Sequence, residues 1–206
     1  MEVVLQRFVG DAWRPFEDEV RAGRLSHAQC LRLQVGLVRA PAAEFIGALA
    51  AEARPVPGLT GFLNELARHG GEAAIVSAGF REAIESVWRR EALPPVEVFA
   101  SELVTRDGDE SGALAIAFSP ALGDCPRCGP ASCKAAVLRA LRRPGDLVLA
   151  FGDGAADLCM ARAADLTFAR GHLARRCREE GLEWRPLPDF TTVWDQVDAW
   201  LAGRIS

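Results

Sequence analysis

The chain has 206 residues, of which 50% are hydrophobic and 25% are charged, so it can form one soluble domain of ordinary size or a domain with a small appendage. Its net charge of −4 at pH 7 excludes the strongly basic face that nucleic-acid and membrane-surface binders need, and neither partner is expected. No apolar run has membrane-spanning length and the N-terminus lacks a signal-type pattern, which predicts a cytoplasmic protein.

The segment 1–54 is predicted to be helical, because its apolar residues recur at the spacing of one helix face. Ser26 precedes such a run and is a suitable N-cap. The segment Pro55-Val56-Pro57-Gly58 interrupts the pattern and is typical of a hinge or linker. We therefore expect a small helical unit before residue 55 and a different unit after it.

From residue 59 onward, predicted helices and strands alternate. Helices are predicted at 59–69, 80–90, 132–143, 155–164 and the C-terminus, and strands at 73–77, 96–100, 147–151 and 166–169. Short, continuously apolar strands between helices predict an α/β fold with a parallel sheet covered by helices on both faces. Residues 103–105 and 113–118, separated by the turn-rich segment 106–109, predict a β-hairpin.

The segment Ser77-Ala78-Gly79 follows the first predicted strand and precedes the helix predicted from Phe80. In parallel α/β sheets, ligands bind at the carboxyl ends of the strands. A hydroxyl and the backbone N–H groups of small residues at a helix start can bind phosphate oxygens. An ordinary helix cap uses the same residue types, so this segment alone leaves both interpretations open.

Three of the six cysteines, Cys125, Cys128 and Cys133, lie within nine residues of one another. A Cys-x-x-Cys pair followed by a third thiol can hold zinc, although a closed structural site needs a fourth ligand. None of the three histidines is near in the sequence. A plain turn or a redox-sensitive loop is the alternative, and the absence of a secretion signal predicts reduced thiols.

Lys134 is the only lysine among 24 basic residues, all the others being arginine. Lysine carries a compact ammonium charge without the planar fork of arginine, so a site shaped for one phosphate oxygen can require it. It lies in the first turn of a predicted helix, where a cation opposes the helix dipole. A solvated surface lysine is the alternative interpretation.

The segment Gly152-Asp153-Gly154 follows the strand predicted at 147–151, and Asp157 comes one helical turn after Asp153. Side chains at this spacing can face each other on a helix, and the glycines let the backbone approach a ligand. Two carboxylates so placed suit Mg²⁺, which binds one or two carboxylates, several waters and phosphate oxygens. A glycine-rich turn with a capping aspartate has the same sequence.

In chain order, the hydroxyl, the lysine and the paired aspartates resemble the motifs of the haloacid dehalogenase-like phosphatase superfamily. Ser77 matches its second motif, Lys134 its third, and Gly152-Asp153-Gly154-x-x-Asp157 its fourth. The helical segment 1–54 resembles the cap of the phosphoserine-phosphatase-like branch, and 55–206 resembles the α/β core. The resemblance implies a Rossmann-like parallel sheet with a small N-terminal helical cap.

Further residues narrow the resemblance within that branch. The Cys125-x-x-Cys128 pair, Phe168-Ala169-Arg170 and Cys177-Arg178-Glu179-Glu180 are similar to two groups of phosphatases. One acts on 2-hydroxy-3-keto-5-methylthiopentenyl-1-phosphate in methionine salvage, and the other on phosphoethanolamine or phosphocholine. The cap arginine with which phosphoserine phosphatases grip the substrate carboxylate falls on Gln34. An amide cannot form the bidentate charged pair, so phosphoserine is not the expected substrate.

The resemblance implies a Mg²⁺-dependent phosphomonoesterase whose partner is a small phosphorylated metabolite, and it leaves the oligomeric state open. Asp153 and Asp157 would hold Mg²⁺, with Asp157 also meeting Lys134. The segment 77–79 and Lys134 would bind the phosphoryl group. Ser77, Lys134 and Asp157 are therefore the expected catalytic residues.

The superfamily's first motif, Asp-x-Asp-x-Thr, has no match near the start of the chain. Its first aspartate forms the aspartyl-phosphate intermediate, and its second handles the leaving-group proton. Asp11 and Asp18 lie in predicted cap helices, and the segment from Glu2 to Phe8 aligns with the first cap helix. We therefore expect the motif and the first core strand to lie upstream of Met1. The alternative is a catalytically inactive relative that binds a phosphate ligand or a protein.

Overall fold

The computed structural model of the chain describes residues 1–105 and 113–205. Within these ranges the α-helices, α1 to α10, are Glu2–Val9, Arg14–Arg21, His27–Val35, Ala42–Glu52, Leu59–Arg68, Arg81–Arg90, Lys134–Leu141, Leu158–Ala161, Gly171–Glu180 and Val193–Ile205. The strands, β1 to β8, are Ala74–Phe80, Glu97–Thr105, Leu114–Ala117, Gly123–Cys125, Gly129–Cys133, Leu149–Gly152, Leu166–Ala169 and Trp184–Pro186. Two short 3₁₀-helices span Gly10–Trp13 and Ala155–Asp157. In this part of the chain, every helix is too short or too polar to cross a lipid bilayer.

The parallel sheet predicted from the alternating pattern is present. Strand β7 lies between β6 and β8 and pairs in parallel with both. All four residues of β7 are buried, and Leu166 and Phe168 are fully inaccessible. A central strand covered on both faces needs apolar side chains on both faces, and three of its four residues are apolar. The fourth, Thr167, is also buried, and its hydroxyl donates a hydrogen bond to the backbone oxygen of Ala161 at 3.4 Å.

The predicted β-hairpin is also confirmed. Strands β2 and β3 pair antiparallel, with Glu102 opposite Ala117 and Thr105 opposite Leu114. The turn predicted at 106–109 lies outside the described residues. Strand β2 is one continuous strand, although the sequence predicted a break after Ala100. The polar residue Ser101 is fully buried inside the strand and Glu102 is exposed, which is the in–out alternation of a strand and not an interruption.

The segment before Lys134 differs from its prediction. Strands β4 and β5 form an antiparallel hairpin, and α7 begins at Lys134 rather than at Ser132. The Ser132 hydroxyl donates hydrogen bonds to the backbone oxygens of Cys128 and Gly129, at 2.6 and 3.2 Å. Ser132 therefore closes the hairpin turn instead of beginning the helix.

The described chain divides into two compact units. The first consists of Met1–Arg54, Ile75–Ala92 and Val98–Val137, and the second of Pro55–Ala74, Leu93–Glu97 and Leu138–Ser206. The cap and core boundary at residue 54 stays a prediction, since the helical segment shares the first unit with β1, α6 and the two hairpins.

The first unit has a core that joins the N-terminal helices to its strands. The ring of Phe45, on α4, meets the edges of Phe8 and Phe80 at centroid distances of 5.3 and 6.2 Å. Arg90 donates hydrogen bonds to the backbone oxygens of Ala50 and Ala53, at 2.6 and 2.8 Å. These two oxygens lie at the C-terminus of α4, where helix carbonyls lack partners within the helix.

The second unit is built on stacked aromatic rings. Phe151, on β6, stacks on Phe168 of β7 at 5.1 Å, and it also contacts Phe62 and Phe190 at 5.2 and 5.1 Å. Trp194, on α10, stacks on Phe62 at 5.5 Å. This cluster fixes the position of β6 directly before the loop that carries the predicted metal ligands.

Candidate active site

Asp153 is the first residue after the parallel strand β6. Its backbone oxygen accepts a hydrogen bond from the N–H of Leu173, at 3.0 Å. Its side chain is 63% exposed, and its carboxylate lies 3.8 Å from the guanidinium of Arg170. The structure thus fixes the backbone of Asp153 and leaves its carboxylate presented at the carboxyl end of a strand, where ligands of parallel α/β sheets bind.

Asp157 holds this loop together. It is buried, and its Oδ2 accepts hydrogen bonds from the N–H groups of Asp153 and Gly154, at 3.1 and 3.0 Å. The helix predicted at 155–164 is confirmed only in part: a 3₁₀-helix, Ala155–Asp157, leads into the single α-helical turn α8. The carboxylate draws the chain into the tighter turn, in which the Asp157 N–H bonds to the oxygen of Gly154 at 3.3 Å.

Gly152 is required by the close approach of that carboxylate. A Cβ at Gly152 would lie 2.6 Å from Oδ2 of Asp157 and 2.7 Å from its Cγ. These distances are too short for a real contact, so the Asp157 side chain or the backbone would have to move. A Cβ at Gly154 would meet the same oxygen at 3.7 Å, an ordinary contact. The two glycines of the Gly-Asp-Gly segment therefore have different reasons to be glycine.

The helix predicted from Phe80 begins one residue later, and the strand predicted to end at Ser77 is longer. Strand β1 continues through the segment 77–79 to Phe80, and α6 begins at Arg81. Phe80 stays extended because its ring is buried in the core of the first unit. The Ser77 Oγ accepts a hydrogen bond from the N–H of Gly79, at 3.0 Å. This bond fixes the hydroxyl oxygen three residues before the end of the strand.

Lys134 is the first residue of α7 and follows β5 without an intervening loop. The predicted placement in the first helical turn is confirmed. Its side chain is half-buried, which differs from the fully solvated lysine of the alternative interpretation. Its position is set by the hairpin that precedes it.

Gln34, the predicted specificity residue, lies in the helical segment and is buried. Its Nε2 donates a hydrogen bond to Oε1 of Glu17 at 2.8 Å, which links α3 to α2. The Cys30 thiol donates to the same oxygen at 3.6 Å. Burial and the negative charge of Glu17 raise the pKa of Cys30 to about 12. Glu17 was missed by sequence reasoning, because nothing in the spacing of two separate helices predicts which residues will pair.

The predicted site residues are thus assembled in two groups. Ser77, Lys134 and Gln34 belong to the first compact unit, and Asp153 and Asp157 meet in one loop of the second. The convergence of the two groups on one ligand stays a prediction. Arg170 pairs with Asp153. From the sequence it has no predicted role of its own beyond its place in the family-like segment Phe168-Ala169-Arg170.

Comparison with known protein families identifies the family of the chain. The family model described as "HAD: haloacid dehalogenase-like hydrolase" matches residues 4–162. The chain belongs to the haloacid dehalogenase-like hydrolase family. The matched range includes Ser77, Lys134, Asp153 and Asp157.

The relatives of this haloacid dehalogenase-like hydrolase include named phosphatases. The 2-hydroxy-3-keto-5-methylthiopentenyl-1-phosphate phosphatase of Geobacillus kaustophilus (strain HTA426) is 28% identical over 200 residues, covering 95% of this chain and 86% of the relative. The protein of the same name from Geobacillus thermodenitrificans (strain NG80-2) is 27% identical over 201 residues, with the same two coverages.

Solved structures show the same fold. A substrate-bound phosphoserine phosphatase superposes with a TM-score of 0.65 at 22% identity, covering 94% of this chain and 89% of that one. A probable phosphoserine phosphatase from Vibrio cholerae, in unliganded form, gives a TM-score of 0.66 at 20% identity, covering 95% and 58%. The chain thus has the fold of the phosphoserine-phosphatase-like branch, as the resemblance implied.

Proposed function

We propose that this haloacid dehalogenase-like hydrolase is a Mg²⁺-dependent phosphomonoesterase that acts on a small phosphorylated metabolite through an aspartyl-phosphate intermediate. The observation that carries the proposal is the exposed carboxylate of Asp153, which follows a parallel strand in a loop closed by Asp157. The relatives named as phosphatases support the same reaction.

The donor set around Asp153 fits Mg²⁺. This ion prefers oxygen ligands and keeps several waters, so one or two carboxylates are enough protein ligands. Asp153 is accessible to an ion, whereas one oxygen of Asp157 is already bonded to two loop amides. We therefore assign Asp153 as the principal ligand, with Asp157 orienting it and supporting the ion. When bound, Mg²⁺ would neutralise negative charge on phosphoryl oxygens.

Ser77 and Lys134 would act on the phosphoryl group itself. Because the Ser77 Oγ accepts the N–H of Gly79, its own proton can be donated to a phosphate oxygen. Lys134 would place its single positive charge against the phosphoryl oxygens, where charge builds up in the loose transition state. The nucleophile would be the first aspartate of the Asp-x-Asp-x-Thr motif, which has no match near the start of the chain.

For the substrate, the relatives' names make 2-hydroxy-3-keto-5-methylthiopentenyl-1-phosphate the first candidate. Gln34 supports a preference against phosphoserine. It is uncharged, and its amide is bonded to Glu17 at 2.8 Å, so it offers no cation to a substrate carboxylate. We expect a higher kcat/KM for the methionine-salvage phosphate than for phosphoserine, measured by phosphate release.

Hydrolysis of p-nitrophenyl phosphate tests the reaction. The 206-residue chain should be assayed beside any longer form that the DNA upstream of Met1 encodes in frame. We expect a chain that carries an Asp-x-Asp-x-Thr motif to hydrolyse the ester in the presence of Mg²⁺. Hydrolysis should cease when the ion is removed by a chelator. Asp153→Asn should lower kcat about 100-fold or more, as should Lys134→Arg, which keeps the charge and changes its shape.

Two surface exchanges serve as controls. Asp198→Asn removes an exposed carboxylate on α10, and Arg139→Lys changes an exposed cation on the same helix as Lys134. Both should keep the parent's kcat. If Lys134→Arg hydrolyses as fast as the parent, the role assigned to the single lysine is wrong. A chain that carries the motif and is inactive with Mg²⁺ would instead favour the non-catalytic binding protein.

A further inference from the structure

The β4–β5 hairpin gathers three thiols. The Sγ atoms of Cys125, Cys128 and Cys133 all lie within 4.8 Å of one another. Cys125 ends β4 and lies opposite Gly129, Cys128 lies in the turn, and Cys133 ends β5 opposite Gly123. Cys133 is buried, while Cys125 and Cys128 are partly accessible.

The hairpin has its own hydrogen bonds and does not depend on a sulfur–sulfur bond for its shape. Asp124 Oδ1 accepts the N–H of Ala131 at 2.7 Å, and the Ser132 hydroxyl donates to the oxygen of Cys128 at 2.6 Å. Gly129 and Ala131 have φ values of 89° and 47°, in the left-handed region that residues other than glycine rarely adopt. This tight double turn brings the three thiols to one point.

We propose that these three cysteines hold a zinc ion that has a structural role and is separate from the Mg²⁺ of the proposed reaction. Four ligands about 2.3 Å from a tetrahedral zinc lie about 3.8 Å from one another, so small side-chain rotations suffice to reach it. A disulfide would require sulfur atoms about 2 Å apart, and the described cysteines, Cys125, Cys128 and Cys133 among them, form no disulfide. Thiolates are soft ligands, which favours zinc over magnesium or calcium.

The position of the hairpin indicates what a bound zinc ion would stabilise. Cys133 directly precedes Lys134, so a metal bound at Cys133 fixes the first residue of α7. On the other side, a Cβ at Gly129 would lie 2.9 Å from both Cβ and Oγ of Ser26, the N-cap of α3. The zinc would therefore stiffen a hairpin that lies between a helix of the N-terminal segment and the lysine.

Metal analysis of the purified chain tests the proposal. We expect about one zinc per chain in protein prepared without chelator, measured by inductively coupled plasma mass spectrometry. Replacement by Co²⁺ should give an intense thiolate-to-metal absorption. Cys125→Ser, Cys128→Ser and Cys133→Ser should each lower the zinc content at least about tenfold. A closed zinc site needs a fourth ligand. Cys159 is another buried cysteine of the chain, and loss of zinc in Cys159→Ser as well would identify the fourth ligand as its thiolate.

Matched variants guard against unfolding and against confusion with the other metal. Cys30→Ser and Cys177→Ser change buried thiols outside the hairpin and should keep the zinc. Asp153→Asn should also keep it, so failure of the phosphatase proposal leaves this result unchanged. Circular dichroism identifies unfolded variants, and Cys128→Ser, in the accessible turn, is the mildest change. A chain that takes up neither zinc nor cobalt, or that contains a Cys125–Cys128 disulfide by mass spectrometry, would overturn the proposal.

Discussion

Gly152 and Gly154 flank the same aspartate and should respond differently to the same substitution. A Cβ at Gly152 would lie 2.6 Å from Asp157 Oδ2, so Gly152→Ala must displace the carboxylate that holds the loop amides. Loss of those charged hydrogen bonds should lower the free energy of unfolding by about 1–3 kcal/mol. Gly154→Ala meets the same oxygen at 3.7 Å with φ at −106°, and should cost less than about 1 kcal/mol.

Urea unfolding of the parent and the two variants measures both values. The comparison is controlled because the substitution, the loop and the neighbouring oxygen are shared by both positions. Equal losses at the two glycines would mean that the approach of Asp157 is not what requires Gly152.

At the scale of the helix, α3 depends on its first turn. The Ser26 Oγ accepts the N–H of Gln29 at 3.3 Å, and the Gln29 side chain accepts the N–H of Ser26 at 2.8 Å. This capping box satisfies two backbone donors that the helix cannot. Ser26→Ala should therefore lower the free energy of unfolding by about 1 kcal/mol, measured by urea titration.

Ser86→Ala in the interior of α6 is the matched control, because alanine is a better helix former than serine and no cap is lost there. A variant at Ser26 that is as stable as the parent would show that α3 is held by packing alone.

Elements differed in how well their sequences predicted them. The buried strand β7 and the β2–β3 hairpin were predicted, since a short, mostly apolar run and two strand-like runs around a turn are local signals. The capping box at Ser26 is local as well. The start of α7 and the shortness of α8 were not predicted. In both, a side chain bonds to the backbone of a tight turn, Ser132 to Cys128 and Asp157 to Gly154, and patterns of hydrophobicity do not detect such bonds.

For the site, residue identity was more predictable than geometry. Asp153 and Asp157 were predicted as carboxylates that face each other. The structure shows the Asp153 N–H bonded to Asp157 Oδ2 at 3.1 Å, and their pairing as metal ligands stays a prediction. The role of Asp157 in closing the loop, and the bond between Gln34 and Glu17, depend on distances between elements that a one-dimensional pattern does not contain.

On the scale of the whole molecule, the alkaline stability should depend on Cys30. Burial and Glu17 raise the pKa of this thiol from its ordinary value of 9.0 to about 12. A group with a raised folded pKa contributes stability that is fully present below its unfolded pKa and is lost as the pH rises through the folded pKa. Between pH 9 and 12 the unfolded chain therefore gains stability by ionising first. At pH 10 this should cost the folded chain about 1 kcal/mol.

Urea unfolding of the parent and of Cys30→Ala, each at pH 7 and pH 10, isolates this contribution. The variant loses packing at both pH values, but its free energy of unfolding should fall by about 1 kcal/mol less between them than that of the parent. Parallel falls in the two proteins would exclude an ionisation at Cys30.

The two hydrogen bonds that the loop amides donate to Asp157 should matter in relatives of this protein that have lost their activity. An aspartate that the backbone needs would persist after the chemistry has been lost, because its removal would unfold the turn. The carboxylate of Asp153 is mostly exposed and faces Arg170, so substitution of Asp153 should cost little stability. Under the proposed function, Asp153 is therefore the acid whose presence would distinguish an active enzyme from an inactive relative.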